Sequence, residues 1–177
     1  NSTGGAVLLV PNKPTDKLEG YVEGTLGDYD QRRPQAVLNL PLADTFKVRL
    51  GVDRNKRDGY QKNAGRIGFG PYGNAGGSID YIAARLSIIA ELTPALENYT
   101  IGTYSKSKRT GVIPAIYKCF NATLCEQKTR QDSLSKWGVT NPLPDSGSKT
   151  EQWQFINTTT WQASDALTVK NIFSYGE

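Results

Sequence analysis

The sequence contains no histidine and no methionine, and only two cysteines among its 177 residues. Without histidine, the Ser–His–acid triad and the usual mixed Cys/His zinc sites are excluded. No stretch approaches the roughly 20 apolar residues of a transmembrane helix. That absence leaves strand-crossing proteins open, because alternating strands give only a weak hydropathy signal. There is no basic arm either: the net charge is +4 and the cations are scattered, which gives nucleic-acid binding no support. Mean hydropathy is -0.49, low for a close-packed domain. No charged leader with an apolar core opens the chain at Asn1. With no methionine and strand-like sequence at both ends, a segment of a longer chain is expected.

What the sequence does carry is a period of two. From Phe46, one side holds Phe46, Val48, Leu50 and Val52, and the other holds Lys47, Arg49, Gly51 and Asp53, the alternation of a β-strand. From Ile82 to Leu92 the pattern persists longer than the ~5–6 residues of an ordinary strand. It approaches the ~9–11 residues that a tilted strand needs to cross a bilayer. Weaker copies lie at Leu18 to Tyr29, Gln35 to Leu42, Asn98 to Ser107, Glu151 to Gln162 and Leu167 to Tyr175. In these, Tyr99, Ile101 and Thr103 share a side, as do Trp153, Phe155 and Trp161. A helix is a poor fit, since the apolar spacing is two and Gly, Thr, Asn and Tyr are frequent. Seven strands are expected.

The connections discriminate further. Residues 42–45, 93–97 and 163–166 read as tight turns, as does the region near Asp28 to Arg33. Long loops are expected near 57–78 and 108–150. Short and long connections thus alternate along a meander, the asymmetry of outer-membrane barrels. A loop of some forty residues is improbable in a compact domain unless it is functional or disordered. The fold class expected is all-β: an antiparallel meander forming part of a transmembrane β-barrel.

Asn1-Ser2-Thr3-Gly4-Gly5-Ala6-Val7, followed by Val10-Pro11-Asn12-Lys13-Pro14-Thr15, resembles the last strand of the plug domain in TonB-dependent receptors. Leu18 to Tyr29 resembles that family's first barrel strand, and Asn39-Leu40-Pro41-Leu42-Ala43-Asp44-Thr45 its second strand and periplasmic turn. Val48-Arg49-Leu50-Gly51 with Lys56-Arg57-Asp58-Gly59-Tyr60, and Tyr81 to Pro94, resemble the strands that follow. The order and spacing of these pieces make the match, closely over 1–107 and in general style over 151–177. The resemblance implies that residues 1–16 are the end of a plug and its linker. Residues 17–177 would then be the N-terminal part of a barrel that has 22 strands in the parent. It implies active import of a scarce nutrient, such as a ferric siderophore, across the bacterial outer membrane. The TonB-ExbB-ExbD complex would drive this through an N-terminal region that lies outside the sequence. The partners are then outer-membrane lipid and a small ligand, with no enzymatic step and no cofactor or metal. An extracytoplasmic β-rich ligand-binding module and a passive porin are the alternatives.

Single residues have plainer readings beside these. Gly4-Gly5 fits any tight turn; under the resemblance it lets plug and wall approach closely, with Lys13-Pro14 as an extended connector. Cys119 and Cys125, one spaced pair with no histidine, are weak evidence for a metal site, and a disulfide clipping an exposed loop is set against two free thiols. Lys106 to Lys149 holds eight lysines and arginines against three carboxylates. Lys108, Arg109, Lys118, Lys128 and Arg130 are therefore candidates to face an anionic ligand, although most such runs are solvated surface. Lys47, Arg49, Asp53, Arg85 and Glu91 alternate with apolar residues and would face a lumen in a barrel, or water in a sandwich. The Asn-x-Ser/Thr matches at Asn1, Asn98, Asn121 and Asn157 read as coincidences.

Overall fold

The computed structural model describes residues 10–65, 76–141 and 147–177; Gly4 and Gly5 lie outside them. In chain order the elements are β1 (Glu19–Gly27), β2 (Gln31–Ala43), β3 (Phe46–Arg57), the two-residue β4 (Lys62–Asn63), β5 (Ile79–Thr93) and β6 (Leu96–Arg109). They continue with helix α1 (Ala122–Leu134), the two-residue β7 (Gly138–Val139), β8 (Ser148–Ser164) and β9 (Leu167–Gly176). Seven of the strands form one antiparallel sheet in the order β1-β2-β3-β5-β6-β8-β9, a meander in which each long strand lies beside the next. Among the described residues β1 and β9 are its two edges, and the sheet does not close on itself. Among the described residues no helix is long and apolar enough to cross a membrane.

The two rims are built differently. On one, Asp44-Thr45, Pro94-Ala95 and Asp165-Ala166 reverse the chain in two residues. The register slips just before each of these turns, at Pro41/Ala43, Glu91/Thr93 and Gln162/Ser164. Such bulges raise the local twist. On the other rim Asp28 to Asp30 form a short turn with Tyr29 and Asp30 at φ 61 and 55. The remaining connections there are long, at 58–78 and 110–147. The strands are longer than their apolar alternation suggests, so Arg57, Lys108 and Arg109 belong to strands and not to loops.

Because paired residues share a face, the register sorts the side chains across the whole sheet. Ala36, Leu38, Val48, Leu50, Ala84, Leu86 and Ile88 fall on one face, joined by Phe155, Trp161, Val169 and Phe173. Most of the large apolar side chains on this face are exposed. The opposite face carries Glu19, Arg33, Gln35, Asn39, Lys47, Arg49, Asp53, Arg85 and Glu91. The alternation breaks down around β6, where the apolar Tyr99 and Ile101 lie on the polar face. They pack there with Ile89 and Ile156 in a small core. Asn98 and Thr100 lie on the apolar face instead and bond to Asn157 and Thr159 across β6 and β8, at 2.8 to 3.1 Å. Their polar groups are thereby satisfied within the sheet.

Candidate functional site

The linker ahead of β1 crosses the polar face at the short-turn end. Pro14 is buried, and its fixed φ keeps the segment extended. Asn39 of β2 is fully buried and grips the linker: its Oδ1 accepts from the Thr15 backbone N–H at 3.0 Å. Its Nδ2 donates to the Thr15 and Lys17 carbonyls at 2.9 and 2.6 Å. Asp16 pairs with Lys47 at 2.7 Å, and Lys47 also holds Glu91 at 2.9 Å. Lys13 pairs with Glu97 at 3.2 Å and lies 5.0 Å from the centre of the Tyr99 ring. The linker is thus tied to β2, β3 and β6. Upstream of Pro14 it reaches Asn12, which borders a hollow in the same face.

That hollow has a volume of about 570 Å³ and reaches from β1 to β8, with Tyr21, Gln35, Arg49, Arg85 and Gln154 among its lining. Arg33 clamps Asp53 through Nε and Nη2 at 3.0 and 2.7 Å, and the Tyr81 hydroxyl donates to the same carboxylate at 2.8 Å. A carboxylate held this way is a poor general base. Arg49 pairs weakly with Glu19 at 3.4 Å. Arg85 is exposed in the hollow and has no ion pair or hydrogen bond among the described residues. Among the described residues no group of three or more His, Cys, Asp or Glu side chains converges. The arrangement is suited to binding, with an arginine free to meet an anion.

The long-loop rim carries a second assembly. β4 and β7 pair in parallel and join the two long loops. Gln61 and Ile113 exchange hydrogen bonds at 2.7 and 2.8 Å, and Gln131 does the same with Ile116 at 3.1 and 2.8 Å. Paired amides thus join the loops beside the buried Ala64, Ile113 and Val139, and buried amides are rigid only when fully paired. Cys119 and Cys125 are joined in a disulfide, with 5.0 Å between their Cα atoms. It ties the segment before α1 to the helix's first turn, where Asn121 caps by accepting from the Leu124 N–H at 2.8 Å. Tyr29, Tyr60 and Trp137 meet in sequence, the first pair tilted and the second edge-on, with ring centres 5.9 and 5.4 Å apart.

The candidate loop cations do not converge. Lys108 is on the apolar face of β6, while Arg109 ends that strand on the polar face. Lys118 lies over the Phe120 ring, Lys128 pairs with Asp132 within α1, and Arg130 donates to the Ala64 carbonyl at 3.2 Å. Sequence reasoning missed the Asn39 grip and the Arg33–Asp53–Tyr81 cluster. Asn39 falls on the polar side of its strand's alternation, but its partners lie more than twenty residues upstream. No family model, curated protein or solved structure matches the chain.

Proposed function

We propose that the chain forms the plug-to-wall linker and part of the barrel wall of a TonB-dependent receptor. Such a receptor imports a scarce nutrient, with a ferric siderophore as the first candidate, across a bacterial outer membrane. The observation that carries this reading is the two-sidedness of the sheet. Its large apolar side chains are exposed on one face, while its hollow, its linker and the ion pairs that hold the linker are on the other. Water-soluble monomers rarely expose apolar patches beyond a few hundred Å², whereas a barrel wall turns such a face to lipid. Trp153 and Trp161 bound about nine residues of β8 on that face, within the roughly 9–11 of a spanning strand. The seating of the linker on the polar face favours a plugged barrel over an open porin. Edge strands β1 and β9 would pair with further wall, as a sheet in lipid requires.

Import, with no bond made or broken, is then the activity, and loops 58–78 and 110–147 face the outside. The protein is expected in the outer-membrane fraction, migrating differently on gels before and after boiling. Ligand uptake should stop when TonB is deleted. Release into the soluble fraction without detergent would overturn the barrel reading, and uptake undiminished without TonB would overturn active import.

A further inference from the structure

On the apolar face the rows change character near the long-loop rim. Val52, Ala84, Tyr104 and Trp153 form one row. The next two toward the rim hold Arg54, Ile82, Lys106 and Glu151, and then Lys56, Asp80, Lys108 and Lys149. Both carboxylates are occupied: Asp80 by Arg54, and Glu151 by Lys106 at 2.8 Å and by the Tyr104 hydroxyl at 2.8 Å. Lys56, Lys108 and Lys149 are exposed and have no ion pair or hydrogen bond among the described residues. Lys108 and Lys149 stand directly opposite each other on β6 and β8. Side chains so placed start about 5 Å apart, and like charges there are destabilising unless an anion joins them.

We propose that Lys108 and Lys149, with Lys56 at the flank, bind the phosphate of a lipid in the outer leaflet. The acyl chains of that lipid lie along the apolar rows below, and Tyr104 and Trp153 sit at headgroup depth. The inference rests on the barrel reading, because it requires this face to meet lipid. Charge and apolar surface adjoin in the order that an anionic amphiphile presents them. A free phosphate ion would satisfy the lysines but leave the apolar rows uncovered.

The test uses the protein purified in detergent and native mass spectrometry, with bis-phosphorylated lipid A and its dephosphorylated form as probes. The phosphorylated lipid should be retained preferentially, and the Lys108→Gln/Lys149→Gln variant should bind it roughly thirtyfold more weakly, the scale of two lysines near an anionic surface. Lys118→Gln/Lys136→Gln, in the loop assembly, should bind as the unaltered protein does. Excess inorganic phosphate should not displace the lipid. Equal retention of the two lipids, no loss in the Lys108/Lys149 variant, or displacement by inorganic phosphate would each overturn the proposal. Flotation with phosphatidylcholine vesicles separates the two levels. A protein that floats with them but ignores lipid phosphate sinks this proposal alone, whereas one that does not float sinks the barrel reading as well.

Discussion

Asn39 shows how much one side chain can organise. Its amide fills a place on the polar face that no apolar residue could take, because the Thr15 N–H and two linker carbonyls all end there. Asn39→Ala should leave these groups unpaired in a buried site, at about 1–3 kcal/mol each if no water replaces the amide. The linker should lift before the sheet melts. Trypsin cleavage after Lys17 should then become at least several-fold faster, and unchanged cleavage would show that the amide does not hold the linker. Little of this was legible beforehand. Alternation puts Asn39, Arg49 and Asp53 on the polar side, but whether Asp53 meets Arg33 diagonally or Gln35 directly depends on a register that no local pattern states.

At the scale of elements, the seven strands were legible because a two-residue period is written into each. Their ends were less so. Arg54 to Arg57, Lys106 to Arg109 and Ser148 to Thr150 continue the ladder without apolar alternation. The face taken by Tyr99 and Ile101 was not legible either, since within one strand nothing says which side meets which neighbour. Helix α1 was missed for a clear reason: its buried positions are Gln127 and Gln131, so it has no apolar stripe. Its stability should depend on the disulfide. In a Cys119→Ser/Cys125→Ser variant, loop-closure entropy of about 2 kcal/mol is lost. Amides of 122–134 should exchange faster while those of β5 and β6 do not, and uniform protection would contradict this. A pH dependence is also expected. The Lys128 ammonium bonded to Asp132 holds that carboxyl below its ordinary value of 3.8. Such a group stabilises above its unfolded value and loses the contribution as pH falls through the lowered one. Helix protection, with the intrinsic pH dependence of exchange divided out, should therefore fall below pH about 4, and Asp132→Asn should abolish that step.

For the whole molecule, the two faces make opposite demands on the same substitution. Leu86→Arg puts a charge on the apolar face beside Leu50. Ser105→Arg puts one on the polar face, in the row of Asp53 and Ala83. If the apolar face lies in lipid, the first should cost about 2–4 kcal/mol near the midplane. The second should cost under about 0.5 kcal/mol. Urea unfolding in lipid vesicles measures both, and equal costs would argue that the two faces share one solvent.

The meander also bears on how the chain can be assembled and altered. Every long strand pairs with its successor, so each hairpin can form as soon as its second strand is made, without waiting for distant sequence. Closing a loop costs only about 0.6 kcal/mol more for each doubling of its length. The rim that carries 58–78 and 110–147 can therefore gain or lose residues cheaply. The three two-residue turns with their bulges cannot, because one added residue would shift the register of everything downstream. Variation should accumulate at one rim and be purged at the other, giving a molecule that can change what it grips while keeping its frame.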